Sequence, residues 1–229
     1  MSLGLSVPLF NEEALVEAVV AELVAALEAG EVPFRLALVD NGSRDDTGAL
    51  VDALAQDPRI LAVHVSPNRG YGGGILAGLA ALAGEGHEVL GWTWGDGQVD
   101  PTVIPGLYRL CLEGADLAKA RRTERQTGPA RRLVSAGYEA VTRALGVRTR
   151  DVNGCPKLLR AEALTALAPR HTDWFLDAEV VLGVESRGLR VAELPVVMRP
   201  RAAGESKVRA RTLLEFVGNL ARWRVGCLR

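Results

Sequence analysis

The most informative stretch of this chain is Val89-Leu90-Gly91-Trp92-Thr93-Trp94-Gly95-Asp96-Gly97-Gln98-Val99-Asp100-Pro101. Its apolar start predicts a buried strand, and Pro101 stands where a helical pattern begins. The turn between them carries Asp96, Gln98 and Asp100, whose hard oxygen atoms suit Mg²⁺ or Mn²⁺ and a diphosphate bound through the cation. Because acidic, Gly-rich turns are common on any surface, the stretch alone slightly favours a plain surface turn over a metal site. The rest of the chain is needed to distinguish these two interpretations.

The same alternation of strand and helix runs through the first half of the chain. Strands are predicted at 3–7, 34–39, 60–65 and 88–93, and the helices between them at 11–29, 46–55 and 74–83. This order predicts an α/β fold with a mostly parallel sheet flanked by helices. The second half is less regular, with strands predicted at 115–120 and 190–198 and helices at 129–145, 160–167, 174–186 and 212–224. Since neither an internal repeat nor a clear linker interrupts the pattern, we expect one domain over residues 1–229.

The charged residues nearly cancel, because 27 Lys and Arg stand against 28 Asp and Glu and give a net charge of -1. Such a balance gives no general attraction for nucleic acid, and we expect no nucleic-acid partner. The basic residues are uneven, with one cluster at 119–132 and another at 207–229. A solvated face is the usual explanation of such a cluster. In an otherwise neutral protein, the clusters fit a small anionic ligand better than DNA.

The cysteines and the first residues of the chain indicate the compartment. Cys111, Cys155 and Cys227 are widely spaced without a Cys-x-x-Cys pattern, which argues against a disulfide framework and against a zinc site. Residues 1–10 lack the charged region and long apolar run of a signal peptide. No stretch reaches the roughly 18 apolar residues of a spanning helix. We therefore expect a cytoplasmic protein.

Polar residues follow the first two predicted strands, as they follow the fourth. The first strand leads into Pro8-Leu9-Phe10-Asn11-Glu12-Glu13, and the second ends in Val39-Asp40-Asn41-Gly42-Ser43-Arg44-Asp45-Asp46-Thr47. In parallel sheets, ligands bind outside the carboxyl ends of the strands, where carboxylates and amides can take ribose hydroxyls and base edges. Helix caps at Asn11 and Asp46 and a simple turn at Asn41 are the alternative explanation. Repetition at three strand ends favours a binding site.

A glycine-rich loop, Asn68-Arg69-Gly70-Tyr71-Gly72-Gly73-Gly74, follows the third strand. It fails the dinucleotide pattern, whose third glycine would fall on Ile75, and it lacks the Gly-Lys-Ser/Thr of a triphosphate-binding loop. We expect a turn that lets the following helix approach the sheet.

Taken in order, these motifs resemble the family 2 glycosyltransferases of the GT-A (Rossmann-like) fold, in the dolichol-phosphate mannose synthase branch. The resemblance continues through Ala115-Asp116-Leu117-Ala118-Lys119-Ala120-Arg121-Arg122, Arg131 with Ser135, Asp151-Val152-Asn153-Gly154, Glu193-Leu194-Pro195-Val196, and Arg201 to Lys207. It covers nearly the whole chain, and the ordered set is specific although no single motif is decisive. We accordingly divide the domain into a nucleotide-binding half (1–100), an acceptor half (101–207) and a C-terminal amphipathic helix (208–229).

The resemblance implies that a hexose is transferred from a nucleoside diphosphate sugar, with inversion, in one displacement. A Mg²⁺ or Mn²⁺ ion on Asp96 and Gln98 would stabilise the charge that builds on the leaving diphosphate. The residues that match the family's donor-binding positions are Pro8, Phe10, Glu12, Val39, Asp40, Asn41, Trp94, Gly95, Asp96, Arg122, Arg201 and Lys207.

The acceptor decides whether the reaction needs a base, and two acceptors stay open. A polyprenyl (dolichyl or undecaprenyl) phosphate is already ionised near neutral pH, and Arg131 and Arg132 would grip it. A hydroxyl of a sugar or small molecule must lose a proton, for which Asp177 or Glu179 could be the base. Alternatively, one of these acids has only a structural role, which is to order the cluster of arginines. A third hypothesis is a catalytically inactive protein that binds a nucleotide sugar.

The C-terminal pattern at 208–225 mixes apolar residues with Arg209, Arg211, Arg222 and Arg224. A basic amphipathic helix can lie in the membrane interface, which would place the protein peripherally on the cytoplasmic face of a membrane. A helix packed on the domain, or at a homo-oligomer contact, explains the pattern at least as well.

One position departs from the family's pattern. The family usually has an Asp two residues before Asp96, and here that residue is Trp94. Gln98, the diphosphate and waters could complete the shell of a cation, since Mg²⁺ commonly keeps several waters. Alternatively, Trp94 stacks on the donor sugar or closes the pocket. We expect weaker metal dependence than is usual for the family.

Overall fold

The computed structural model describes residues 2–124, 143 and 148–200. Its strands are β1 (Leu3–Leu9), β2 (Phe34–Asp40), β3 (Ile60–His64), β4 (Val89–Trp92), β5 (Leu117–Glu124), β6 (Lys157–Arg160) and β7 (Val191–Val197). Its helices are α1 (Val16–Ala29), α2 (Thr47–Leu54), α3 (Gly70–Leu82), a short 3-10 turn (Pro101–Val103), α4 (Ile104–Leu112), α5 (Ala161–Leu167) and α6 (Leu176–Ser186). The helix predicted at 212–224, nearly all of the one at 129–145, and Cys227 lie outside the described residues.

The strands form one sheet in the order β3-β2-β1-β4-β6-β5-β7. Strand β1 pairs in parallel with β2 and β4, β2 with β3, and β5 with β7, whereas β6 runs antiparallel to both its neighbours. The prediction of a mostly parallel α/β sheet is therefore confirmed. The strand order reverses between β1 and β4, and such a switch point opens a crevice at the carboxyl ends of the strands.

Strand β6 is not expected from the sequence pattern, yet it lies inside the sheet between β4 and β5. Its first residue, Lys157, is 0% exposed and stands opposite Trp92 on one side and Lys119 on the other. A lysine at a buried position breaks the apolar run by which a central strand is recognised. The short strand β6 therefore has no sequence pattern by which it could be predicted.

Apolar layers cover both faces of the sheet. On one face, Leu5 and Leu38 belong to a core shared with α1 and α4. On the other, Trp92 and Leu159 belong to a core shared with α3 and α6. Because successive side chains of a strand point to opposite faces, the same strands serve both layers. With both faces covered, the carboxyl edge is where a sheet of this kind binds its ligands.

The glycine-rich segment lies within helix α3, which begins at Gly70 and not at the predicted Gly74. A Cβ at Gly78 would lie 2.2 Å from Ser6 Oγ, and one at Gly72 would lie 2.3 Å from the His171 carbonyl oxygen. Neither distance leaves room for a side chain. The predicted turn at 68–74 is wrong for residues 70–74, which are helical. The expected close approach to the sheet is seen at Gly74, where an added Cβ would lie 3.2 Å from Pro8 Cβ, and at Gly78 further along the helix.

Helix α1 begins at Val16, later than the predicted start at Asn11. Asn11 has a φ of 52°, outside the helical region. Its N–H donates to Ser43 Oγ at 3.0 Å, and its side-chain oxygen accepts from the Arg44 N–H at 2.8 Å. The interpretation of Asn11 as a helix cap is therefore wrong, because contacts with the loop after β2 outweigh the local capping signal. Asp46 precedes α2 but likewise makes no side-chain capping bond.

Replacing Gly78 with Ala tests the close approach of α3 to β1. Ala is the better helix former, but its methyl group would collide with Ser6, so Gly78→Ala should lower the free energy of unfolding by about 1–3 kcal/mol. Urea denaturation measures the change. The matched control is Gly183→Ala within α6, where the atom nearest an added Cβ is the flexible end of Leu167 at 2.7 Å. That variant should be neutral or stabilising, and equal losses at both positions would contradict the packing argument.

Candidate functional site

Residues predicted for the site come from four strands and lie along the carboxyl edge of the sheet. Pro8 is near the end of β1, Asp40 ends β2, Trp94 and Asp96 follow β4, and Arg122 is in β5. Strand β4 is parallel to β1, and β5 shares its direction because both pair antiparallel with β6. The other predicted donor-binding and metal-binding residues in the described chain are Phe10, Glu12, Val39, Asn41, Gly95 and Gln98, and the predicted acids Asp177 and Glu179 lie in α6. We refer to this edge, beside the β1/β4 switch point, as the candidate site.

The loops after β1 and β2 hold each other. The Glu12 N–H donates to Thr47 Oγ1 at 2.8 Å, and Glu13 Oε2 accepts from the Asp46 N–H at 3.0 Å. Part of the polar character of these strand ends is thereby explained by loop-to-loop hydrogen bonds. These bonds fix one wall of the candidate site.

Asp40 and Asn41, predicted to hold the nucleoside, have partners within the protein. Asn41 is buried; its amide nitrogen donates to the Gly70 carbonyl at 2.8 Å, and its oxygen accepts from the Arg69 N–H at 3.0 Å. Asp40 Oδ1 accepts from the Ser43 N–H at 2.9 Å. Asn41 therefore ties the end of β2 to the start of α3. Contact of either residue with a nucleoside stays a prediction.

His64 belongs to the candidate site although no sequence motif indicates it. Its Nε2 lies 2.8 Å from Asp52 Oδ1, and its Nδ1 lies 3.5 Å from Asp40 Oδ2. The hydrogen bond to Asp52 raises the pKa of His64, against a smaller opposing effect of burial. The one sequence feature that could have indicated His64 as a site residue is its position at the end of a parallel strand.

The metal motif is ordered by its own backbone and by the residue after β7. Asp96 Oδ1 accepts from the Gln98 N–H at 3.2 Å, and Gln98 Nε2 donates to the Arg199 carbonyl at 3.4 Å. The amide oxygen of Gln98 is thus its remaining ligand atom. Asp100 has a different task, because its Oδ1 accepts from the Thr102 N–H at 3.0 Å and from the Thr102 hydroxyl at 2.7 Å. It caps the 3-10 turn.

This donor set fits a divalent cation that is shared with a ligand. Across residues 2–124, 143 and 148–200, no group of three or more His, Cys, Asp and Glu side chains could hold a metal ion. One carboxylate and one amide oxygen are too few for a cation held by protein alone. Mg²⁺, however, is commonly bound through one or two carboxylates together with substrate phosphates and waters. Asp96 and Gln98 fit an ion that arrives with a diphosphate.

Trp94 is held in place by a chain of hydrogen bonds. Its indole N–H donates to the Tyr71 hydroxyl oxygen at 2.9 Å, and the Tyr71 hydroxyl donates to Asp177 Oδ2 at 3.1 Å. Lys157 Nζ donates to the other oxygen, Asp177 Oδ1, at 2.6 Å. Trp174 stacks on the Tyr71 ring, with centroids 4.2 Å apart. Burial raises the pKa of Tyr71 and the Asp177 carboxylate adds to this effect, so the phenol stays a donor at neutral pH.

Arg122 forms a bidentate ion pair with Asp151. Its Nε lies 2.9 Å from Asp151 Oδ2, and its Nη2 lies 2.5 Å from Oδ1. The guanidinium carbon lies 5.9 Å from the centroid of the Trp94 ring. Burial acts to raise the pKa of Asp151, but Arg122 overcomes this effect and holds the pKa well below its usual range. Asp151 engages Nε and Nη2 of the guanidinium.

The two acids considered as bases are both engaged within the protein. Asp177 is 2% exposed and takes hydrogen bonds from Lys157 and Tyr71. Glu179 Oε2 accepts from the N–H groups of Arg170 at 3.0 Å and His171 at 2.9 Å, and it lies 3.0 Å from His171 Nδ1. Both acids therefore already hold contacts within the protein, Asp177 with two side chains and Glu179 with the backbone of residues 170–171.

Lys119 and Lys157 are two buried cations that sequence reasoning missed. Lys119 Nζ lies 2.8 Å from Glu193 Oε1 and donates to the carbonyl oxygens of Arg150 and Asp151, each at 2.9 Å. Burial lowers the pKa of Lys119, and the nearby Lys157 ammonium lowers it further. The sequence feature that could have indicated these buried cations is a lysine within an apolar strand pattern. The same feature also occurs in strands at the exposed edge of a sheet. They hold the turn that carries Asp151.

Several predictions concern residues outside the described part of the chain, namely Arg131, Arg132, Ser135, Arg201, Lys207 and the segment 208–225. The division into nucleotide-binding and acceptor halves also stays a prediction. Within the part of the chain that the structure describes, no helix combines the length and apolar character needed to cross a membrane.

Comparison with known families identifies the chain. A family model described as Glycosyl transferase family 2 matches residues 5–166. The chain belongs to this family. An undecaprenyl-phosphate 4-deoxy-4-formamido-L-arabinose transferase of Pseudomonas aeruginosa is 34% identical over 226 residues, which cover 93% of this chain and 62% of that protein. An undecaprenyl-phosphate mannosyltransferase of Micrococcus luteus is 27% identical over 229 residues, which cover 95% of this chain and 91% of that protein. The chain spans less than two thirds of the arabinose transferase.

Solved structures agree with this family 2 assignment at the level of fold. Glucosyl-3-phosphoglycerate synthase from Mycobacterium tuberculosis, in complex with Mn²⁺, UDP-glucose and phosphoglyceric acid, matches with a TM-score of 0.75 and 19% identity. The match covers 96% of this chain and 78% of that one. The GT-A fold expected from the motifs is confirmed.

Acid titration tests the Arg122–Asp151 pair. The folded-state pKa of Asp151 is below its unfolded value of about 3.9, so the pair stabilises the fold above that pH and loses this contribution as the pH falls toward the folded-state pKa. Asp151→Asn should lower the free energy of unfolding at neutral pH by about 3–5 kcal/mol, because Arg122 loses its partner. The variant should also lose stability less steeply on acidification.

The control is Asp57→Asn, which breaks a more exposed pair with Arg59. A surface pair contributes about 0–1 kcal/mol, so this variant should change the free energy of unfolding little at neutral pH. Similar losses in the two variants, or an unchanged acid profile in Asp151→Asn, would show that the Arg122–Asp151 pair is not the stabilising contact described.

Proposed function

We propose that this protein is an inverting glycosyltransferase that moves a hexose from a nucleoside diphosphate sugar to a polyprenyl phosphate, dolichyl or undecaprenyl. Family membership supports the reaction class, and both relatives described above are named for undecaprenyl phosphate. The observation that carries the choice of acceptor is the engagement of Asp177 and Glu179 within the protein. A phosphate acceptor is ionised near neutral pH and needs no base, whereas a hydroxyl acceptor would need one.

The proposed step is a single displacement at the anomeric carbon of the donor sugar. An oxygen of the acceptor phosphate forms the new bond to that carbon. The bond from the carbon to the nucleoside diphosphate breaks, and the diphosphate leaves with the electron pair. Attack from the side opposite the leaving group inverts the anomeric centre. Because no proton has to be removed, the protein contributes mainly by positioning the reactants and offsetting charge on the leaving group.

Positive groups at the candidate site are proposed to offset that charge. Arg122 is fixed there by Asp151. Asp96 and Gln98 would hold a Mg²⁺ or Mn²⁺ ion, which supplies further charge neutralisation when bound. Arg201 and Lys207 are proposed as additional phosphate contacts. The Arg199 N–H donates to the Gln98 carbonyl at 2.9 Å, so Arg199 itself lies beside the metal motif.

A lipid-phosphate acceptor would place the reaction at a membrane surface. We propose that the protein binds there peripherally from the cytoplasmic side, with the basic amphipathic segment 208–225 as its contact. Arg131 and Arg132 are proposed to hold the acceptor phosphate by charge-assisted hydrogen bonds.

Transfer can be measured with purified protein, labelled nucleotide sugars and undecaprenyl phosphate in detergent, by following label into the organic phase. We expect lipid-linked label. Arg131→Ala should abolish transfer while nucleotide binding survives, because only the acceptor loses a contact. Asp96→Asn should lower kcat in Mn²⁺ but not in EDTA, because Asp96 acts on the leaving diphosphate only through the cation that it would hold.

Glu179→Gln separates the two acceptor classes. The amide oxygen can still accept the hydrogen bonds of the 170–171 backbone, so transfer to the lipid phosphate should persist. Label that appears instead on a soluble hydroxyl acceptor, and disappears in Glu179→Gln, would overturn the lipid acceptor. Nucleotide binding without any turnover would indicate an inactive binding protein.

A further inference from the structure

Trp94 occupies the position at which the metal motif usually has a carboxylate, and its contacts give that position another task. We propose that Trp94 is a fixed support for Arg122, and that the donor diphosphate is held mainly by this guanidinium, with little dependence on a divalent cation. The inference rests on the proposed use of a nucleoside diphosphate donor and assigns the residues that bind its charged part.

The orientation of the indole is set by the bonds on its N–H side. The chain from Trp94 through Tyr71 to Asp177 runs in one direction, each group donating to the next. It ends at a carboxylate that is fixed by Lys157 and is 2% exposed. Rotation of the indole would leave its N–H without this acceptor, and stacking on Trp174 holds the tyrosine ring itself. The ring therefore presents a fixed surface.

Arg122 lies beside that surface, with its guanidinium carbon 5.9 Å from the Trp94 centroid. A carboxylate at position 94 could approach this guanidinium and compete with a phosphate for it, whereas an indole offers only a weaker cation–π attraction. Asp151 binds Nε and Nη2. The Nη1 group is not engaged by Asp151, and it is the part of the guanidinium that is proposed to take phosphate oxygens. With Trp94 at this position, the site lacks a carboxylate that would compete with phosphate for Arg122, and it also lacks one ligand for a cation.

The charge of the candidate site changes accordingly. With Trp94 in place of a carboxylate, position 94 adds no negative charge beside that of Asp96, and Gln98 is neutral. A bound diphosphate meets less repulsion there, so less positive charge from a cation is needed to hold it. Asp177 and Tyr71 then act as positioning residues, since they reach the donor only through Trp94.

The first test measures nucleotide binding by titration calorimetry with and without Mn²⁺. UDP, GDP, dTDP, CDP and ADP are screened, and the tightest is used in EDTA and in Mn²⁺. For the unaltered protein we expect the two Kd values to agree within about threefold, well under the tenfold that corresponds to 1.4 kcal/mol. In Trp94→Asp we expect weaker binding in EDTA and at least about tenfold tightening by Mn²⁺.

Mn²⁺ affinity without nucleotide, from the paramagnetic resonance of the free ion, gives a second readout. Trp94→Asp should bind Mn²⁺ more tightly than the unaltered protein, and Trp94→Phe should not. Nucleotide binding that is lost in EDTA in the unaltered protein would overturn the inference even if Trp94→Asp failed to fold. Absence of binding by all five nucleotides would overturn the proposed function as well, whereas cation-independent binding without transfer would remove only the proposed function.

A third experiment tests Tyr71 as a positioning residue. Tyr71→Phe keeps the ring on Trp174 but removes the acceptor of the indole N–H. It should shift the tryptophan emission spectrum and weaken nucleotide binding in EDTA by about three- to tenfold. Neither effect should appear when Tyr71→Phe is added to Trp94→Phe, and Tyr108→Phe, at a buried tyrosine in α4, is the control. Equal effects with and without Trp94 would show that Tyr71 acts on stability alone.

Discussion

A buried ion pair between Lys157 and Asp177 is the interaction on which the candidate site depends. Their charged atoms lie 2.6 Å apart, and Lys157 also donates to the Gly154 carbonyl at 2.7 Å. A buried charge without a partner costs several kcal/mol, so each of these side chains constrains the other. The pair joins β6 to α6, and Tyr71 extends it to α3 and to Trp94 after β4. Elements far apart in the sequence thus determine the position of one indole.

The same arrangement recurs with Arg122 and Lys119, whose acidic partners Asp151 and Glu193 lie behind the carboxyl edge. These cations are therefore balanced by the buried Asp151 and the partly buried Glu193 and not by the metal motif. In the proposed function, this separation would let the edge accept a negatively charged diphosphate. Asp96 and Gln98 are proposed to hold a cation whose shell the ligand completes.

The parts of the fold that could be predicted from the sequence are those with a local pattern. Alternating apolar runs predict the parallel strands and their helices, and polar residues at the strand ends indicate the edge that binds ligands. Strand β6 could not be predicted because Lys157 breaks its apolar run. Lys157 is buried only because Asp177 of α6, far along the sequence, pairs with it. Asn11 was misjudged for the same reason, since its partners lie in the loop after β2. The engagement of Asp177 and Glu179, and the contact of His64 with Asp40, are likewise properties of packing that no spacing along the chain reports.

A double-mutant cycle on Lys157→Met and Asp177→Leu, read as free energies of unfolding in urea, tests the central claim most directly. Each single substitution leaves one buried charge unpaired and should cost about 3–5 kcal/mol, while the double variant should cost far less than the sum. A large favourable coupling energy is the predicted result. Losses that simply add would contradict the claim that this pair is the buried support of the candidate site.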